Sequence, residues 1–177
     1  MRLDLGEGFC VRPFHSDDVD GLVKHANNEN VARNLEDRFP HPYTEDNARE
    51  WLARVAGNDP LTEFAIATEG EVIGGIGFRV YEDVYRHTAE LGYWLGETFW
   101  GRGVATRAVR TFTLWIFEIF PIERIQARVF DTNPASCRVL EKAGFTCEGR
   151  LRHSVLKINI LMGQIVYAIL RHESESL

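Results

Sequence analysis

A single compact domain of mixed α/β class is the fold this chain predicts, and three observations carry it. Its 177 residues, 45% hydrophobic and 26% charged, suit one globular core that hides roughly 70% of the unfolded surface. Short apolar runs of strand period alternate with amphipathic runs of helical period along the whole chain. No repeat, low-complexity tract or Pro/Gly-rich linker interrupts them, so one domain is expected over residues 1–177.

The elements follow in order. A strand around Phe9 to Arg12 leads to Ser16, a good N-cap with Asp17 and Asp18 in the first turn of the helix it opens. That helix turns Val19, Leu22, Val23 and Ala26 inward and fades in the polar run Asn27 to Asn30. Pro40-His41-Pro42-Tyr43 reads as a rigid turn. Thr44 then caps a second helix carrying Ala48, Trp51, Leu52 and Val55, which Gly57 ends. Glu63 to Thr68, Val72 to Val80 and His87 to Leu95 read as an antiparallel meander, the first two joined by the turn Glu69-Gly70. A helix from about Gly103 to Phe117 stops before Pro121, and Arg124 to Phe130 is β-rich. Asn133-Pro134 opens a short helix with Asn at the N-cap, and Gly144 supplies the left-handed residue that ends it. Strands near Thr146 to Leu156 and Gln164 to Leu170 close the chain. The helices number about four.

Composition excludes several classes of function. Three cysteines without a Cys-X-X-Cys and six histidines without a His-X-X-X-His pair signal neither a disulfide framework nor a metal site. Reduced thiols, no targeting peptide and no run of roughly 20 apolar residues point to a soluble, cytoplasmic protein without a membrane partner. A net charge of −6 argues against nucleic acid and is compatible with a cationic substrate.

Glu90-Leu-Gly-Tyr-Trp-Leu-Gly-Glu-Thr-Phe-Trp-Gly-Arg-Gly-Val-Ala-Thr106 reads as a strand, a turn, a glycine-spaced loop and a helix start. Such a loop presents backbone N–H groups at the positive end of a helix, where phosphate oxygens bind; a tight packing turn is an equal reading. A Walker loop is excluded, since no Gly-Lys-Ser/Thr occurs. A dinucleotide fold is disfavoured. Thr106 stands where a third glycine belongs, five residues separate strand from loop, and Asp131 lies 28 residues past Gly103 rather than ~20.

The loop resembles the cofactor loop of the GNAT superfamily of acyl-CoA-dependent N-acetyltransferases. Phe-Trp-Gly-Arg-Gly-Val-Ala-Thr, with tryptophan at its start, is similar to the ribosomal-protein N-terminal acetyltransferase branch. The same branch is matched by Arg12-Pro13 with Asp17-Asp18, Pro42-Tyr43-Thr44, Phe64-Ala65-Ile66, Ile73-Gly-Gly-Ile-Gly77 and Asn133-Pro-Ala-Ser-Cys-Arg-Val-Leu-Glu-Lys-Ala-Gly-Phe145. The resemblance implies a mostly antiparallel mixed sheet, splayed at the cofactor strand, and acetyl-CoA as cosubstrate with no metal.

Site residues are implied residue by residue. Backbone amides from Gly101 to Thr106, through Arg102, Gly103, Val104 and Ala105, would cradle the pyrophosphate behind Trp100. The strand ending Trp94-Leu95 would pair with the pantetheine arm. Asn133 and Arg138 would face the cofactor, although Asn133 equally well caps its helix. Ser136 is a candidate proton donor to the leaving thiolate, with an ordinary helix serine as the other reading. Leu140 stands where many relatives carry a tyrosine acid, so a water is the remaining donor. Glu90 is a candidate base acting through a water, against an exposed strand charge. Trp94, Trp51 and Tyr43 read more readily as packing residues than as a substrate cage. Asn159 and Gly163 depart from the usual Gly and acidic residue of the hairpin that borders the substrate.

An α-amine of pKa 7.7 to 8.0 is roughly a tenth neutral at pH 7, whereas a lysine near 10.4 is neutral about once in 2,500. With one base candidate, the α-amine of a protein or peptide N-terminus is the favoured acceptor. The alternatives are a small amine (polyamine, aminoglycoside or toxin) and a non-catalytic acyl-CoA-binding module. Monomer and homodimer both stay open.

Overall fold

The structure, a computed structural model, describes residues 1–176, so the expected domain end at Leu177 lies outside the described residues. Eight strands form one mixed sheet in the order β1-β2-β3-β4-β5-β6-β8-β7: β1 Leu3–Gly6, β2 Phe9–Arg12, β3 Glu63–Ala67, β4 Val72–Val80, β5 Thr88–Leu95, β6 Arg124–Phe130, β7 Thr146–Lys157 and β8 Ile160–Leu170. The helices are α1 Val19–Ala26, α2 Glu29–Ala32, α3 Glu45–Ala56, α4 Val104–Ile119 and α5 Pro134–Lys142. Pairing is antiparallel for β1–β2, β2–β3, β3–β4, β6–β8 and β7–β8, and parallel for β5–β6.

The chain divides into two compact units. Met1–Gly77 with Tyr93–Ala108 make the first, and Phe78–Gly92 with the described residues from Val109 onward the second. In the first, Val19, Leu22 and Ala26 of α1 pack with Ala48 and Leu52 of α3, Tyr43, Ala65 of β3 and Val72 of β4. Phe14, Val23, Phe39, Trp51 and Trp94 close over this cluster. The second unit buries Phe112 and Ile116 of α4, Leu140 of α5 and the inward faces of β5, β6 and β8, namely Ala89, Leu91, Ile125, Ala127, Tyr167 and Ile169. Phe78, Phe112, Trp115 and Phe120 add a set of edge and stacked ring contacts.

Capping residues behave as their chemistry dictates. Thr44 Oγ1 accepts from the Asn47 amide at 3.3 Å, and Asn133 Oδ1 accepts from the Ser136 amide at 3.2 Å. Ser16 does not cap α1. Residues 16–18 form a 3-10 turn, and the Asp18 carboxylate accepts from the His15 amide at 2.8 Å and from Arg12 at 2.7 Å. Burial opposes the charged form of Asp18, but those bonds outweigh it and leave its pKa below the usual range. The polar run after α1 is not a plain loop either, because Asn28 Oδ1 accepts from the Asn30 and Val31 amides and starts the one-turn α2.

The closing hairpin is longer than the apolar pattern indicates. Ile158 and Asn159, at φ 51° and 59°, make a two-residue turn with both centres left-handed, the geometry that matches strand twist.

Candidate active site

In the first unit, β5 ends in Trp94-Leu95 and a 3-10 turn, Glu97–Phe99, leads to the glycine loop. Trp100 anchors that loop, its indole Nε1 donating to the Leu95 carbonyl at 2.7 Å while the ring is 44% exposed. Gly101 and Gly103 both sit at φ 74°, a conformation that a side chain makes costly. A Cβ on Gly101 would meet nothing within 4 Å, so the backbone conformation, not crowding, demands the glycine.

Helix α4 begins directly after Gly103, with the Arg107 amide bonded to the Gly103 carbonyl at 3.1 Å. Val104 is buried and anchors the first turn, while Ala105 and Thr106 are half-buried there. Two guanidinium groups lie over the Phe9 ring, Arg102 at 5.5 Å and Arg107 at 5.8 Å, and Arg107 also pairs with Glu7 at 3.0 Å. Arg107 Nε is buried without a hydrogen-bond partner. An unpartnered cationic donor beside a glycine loop at a helix start is the donor set that an anion completes. The sequence singles out Trp94, Leu95 and Trp100 to Thr106, and they lie together here.

In the second unit, strand alternation turns Ala89 and Leu91 inward and Glu90 to the opposite face. Glu90 pairs with Gln126 in the parallel ladder. It is not a solitary charge: the Tyr81 hydroxyl donates to its Oε2, Arg79 lies 3.3 Å away and Arg128 Nε 3.6 Å away. The Tyr81 oxygen in turn accepts from Gln126 at 3.0 Å and Arg128 at 3.3 Å. Burial and then the Glu90 carboxylate push the Tyr81 phenol above its ordinary pKa, keeping it a donor.

Ser136 is half-buried in the first turn of α5, one turn from its N-cap Asn133, and Arg138 is exposed on the same helix. Leu140, where a tyrosine acid was the expectation from relatives, is fully buried core. Gly163 has a physical reason. A Cβ there would stand 2.6 Å from Asp131 Oδ2, so a carboxylate does occupy that part of the hairpin, supplied by Asp131 and paired with Arg150 at 2.6 Å. An open cavity of about 620 Å³ borders it, lined by Asp131, Arg152, His153 and residues 160–163.

A further residue escapes the motif reading. Glu63, the first residue of β3, is half-buried, and burial pushes its carboxyl up to about 6, against the lowering influence of Arg38 and Arg54. No motif contains it; a charged residue opening a run of four buried ones was its only signal. Among the described residues, no group of His, Cys, Asp or Glu could hold a metal ion, and no helix is long and apolar enough to cross a membrane.

The profile of the acetyltransferase (GNAT) domain matches residues 9–146. The chain belongs to the GNAT acetyltransferase family. It is an acetyl-CoA-dependent N-acetyltransferase by that membership. The uncharacterized N-acetyltransferase p20 of Bacillus licheniformis is 29% identical over 175 residues, covering 94% of this chain and 95% of that protein. The ribosomal-protein-serine acetyltransferase of Escherichia coli (strain K12) is 33% identical over 91 residues, 51% of this chain and 50% of that one. Among solved structures, RimL, a ribosomal L7/L12 alpha-N-protein acetyltransferase in complex with coenzyme A, superposes with a TM-score of 0.84. It is 19% identical and covers 96% of this chain and 98% of its own, a likeness of fold.

Proposed function

We propose that residues 1–177 act as one cytoplasmic enzyme that transfers an acetyl group from acetyl-CoA directly to the N-terminal α-amine of a protein or peptide. The observation that carries the coenzyme assignment is the loop. Two left-handed glycines precede a helix start beside a buried Arg107 Nε that lacks a partner. Amides from Gly101 to Thr106, with Arg102, would hold the pyrophosphate, and the Trp94-Leu95 backbone and the side chains of Asn133 and Arg138 would hold the pantetheine arm. Acetyl-CoA supplies the acetyl group as a thioester.

Each remaining role falls to a residue of the chain. Glu90, oriented by Tyr81 and Arg128, accepts the proton of the acceptor ammonium through a water. Ser136 returns a proton at the thiolate. Holding the partners in line supplies a large part of the acceleration. Two considerations favour an α-amine: its larger neutral fraction at pH 7, and the likeness to the ribosomal-protein-serine acetyltransferase of E. coli. A small-molecule acceptor is the second reading, favoured by an L-amino acid N-acetyltransferase of E. coli that is 27% identical over 126 residues.

Mass-shift assay with acetyl-CoA tests the proposal, using peptides with free and with blocked N-termini beside free amino acids and polyamines. A gain of one acetyl group on free N-termini alone is the expected result. Acetylation of the small amines only moves the acceptor to the second reading, and no transfer to any amine overturns the catalytic reading.

A further inference from the structure

Glu63 is a half-buried carboxylate of the first unit. Its side chain lies flat against the β4 backbone: a Cβ on Gly77 would stand 2.0 Å from Oε2 and 2.5 Å from Cδ. Register pairs Glu63 with Gly77 and Ala65 with Gly75, so the two glycines clear a shallow trough along one face of β3–β4. The Trp94 indole occupies the trough at Gly75, its Nε1 being 2.7 Å from where a Cβ would be. Trp94 packs against Phe39 at 5.5 Å, and Phe39 against Tyr43 at 5.3 Å. The same face therefore carries an aromatic wall and, at its open end, a carboxylate.

Among the described residues, no hydrogen bond or ion pair engages that carboxylate. The two cations nearby are committed elsewhere, Arg38 to Glu36 at 2.7 Å and Arg54 over the Trp51 ring at 4.5 Å. The Tyr43 phenol is pushed up to about 12 by burial, so it stays neutral and adds no charge to the wall. A half-buried carboxylate without a donor is costly to keep, and such groups mark sites where a ligand completes the pairing. An ammonium satisfies both halves of the trough, pairing with the carboxylate and lying against aromatic faces.

We propose that the Glu63 carboxylate, seated over Gly77 on the face that carries Phe39, Tyr43 and Trp94, is a binding site for the ammonium group of a cationic acceptor. The identity of that ammonium as the acceptor's rests on the acetyltransferase reading above; the site itself rests on the trough.

The test is NMR titration of the full chain, with and without coenzyme A, using alaninamide and its hydroxyl counterpart lactamide. Alaninamide is expected to bind at least about tenfold tighter, shifting amides of residues 62–65 and 74–77, because the pairing is charge-assisted. Glu63→Gln is expected to bring the two affinities together, and Glu63→Asp to restore part of the difference. A melting temperature no lower than that of the native chain shows that the Gln variant is folded. Equal binding of the two probes to the native chain overturns the site, as does unchanged alaninamide affinity in a folded Gln variant. Alaninamide binding with no acetyl transfer to any amine leaves the site standing and removes the enzyme reading. Peptide acetylation unaffected by Glu63→Gln removes the acceptor assignment alone.

Discussion

Two carboxylates on β-strands of this chain have opposite surroundings. Glu63, in the first unit, opens β3 with no donor among the described residues, and burial lifts its pKa to about 6. Glu90, in the second, receives the Tyr81 hydroxyl and faces two arginines, with Gln126 and Arg128 holding Tyr81 in turn. The contrast extends to the arginines. Arg107 of the first unit pairs with Glu7 through Nη2 but keeps a buried Nε without a hydrogen-bond partner, whereas Arg124, Arg150 and Arg171 of the second are paired with Glu148, Asp131 and Glu123. Protein groups orient Glu90 in advance, whereas among the described residues none does so for Glu63.

The largest expected effect probes the open side of this comparison. Gly103→Asp places a carboxylate in the loop at φ 74° and is expected to abolish coenzyme A binding by calorimetry while the chain stays folded, its melting temperature lowered only by the few degrees that a left-handed side chain costs. Unchanged affinity would break the loop assignment. On the preorganised side, Glu90→Gln is expected to lower kcat by at least about 10²-fold with coenzyme affinity intact, within the range of general acid–base catalysis. A change confined to KM would show the network to be scaffolding. Ser136→Ala is expected to lower turnover by up to ~10²-fold in stopped-flow thiol release, and normal turnover reassigns the proton to water.

The smallest effect sharpens the comparison through stability. A carboxyl whose pKa rises from 4.5 to about 6 on folding binds its proton more tightly when folded, so it opposes folding once ionised. That penalty is absent below pH 4.5, grows as pH rises through 6, and is complete above it. Glu63→Gln is therefore expected to stabilise the chain by up to about 2 kcal/mol at pH 7.5 and by nothing at pH 4, read by urea melts at both pH values. A variant less stable at pH 7.5 would mean that Glu63 has a structural partner after all.

Much of this was legible in the sequence. The Asn133-Pro134 start, the Thr44 cap, the Arg124–Phe130 strand and the glycine loop rest on local chemistry that needs no tertiary knowledge. Other features were not. Ser16 does not cap α1 because residues 16–18 wind as a 3-10 turn, leaving Asp18 at the N-cap position with its carboxylate turned back to the His15 amide and to Arg12, six residues away. The Asp131 carboxylate at Gly163 and the Glu63 trough over Gly77 depend on strand register, which joins residues 32 and 14 apart in sequence. Glycines in a strand announce close approach, yet only coordinates say what approaches.

Trp100 has a practical consequence. Its indole is tied by one hydrogen bond to the backbone where β5 gives way to the loop, while its ring stands partly in water. Emission from such a ring reports its solvation, so the loop carries its own optical probe, with Trp51, Trp94 and Trp115 as a background removable by substitution to phenylalanine. Occupancy of the loop then becomes a shift in emission, measurable without label or coupled enzyme.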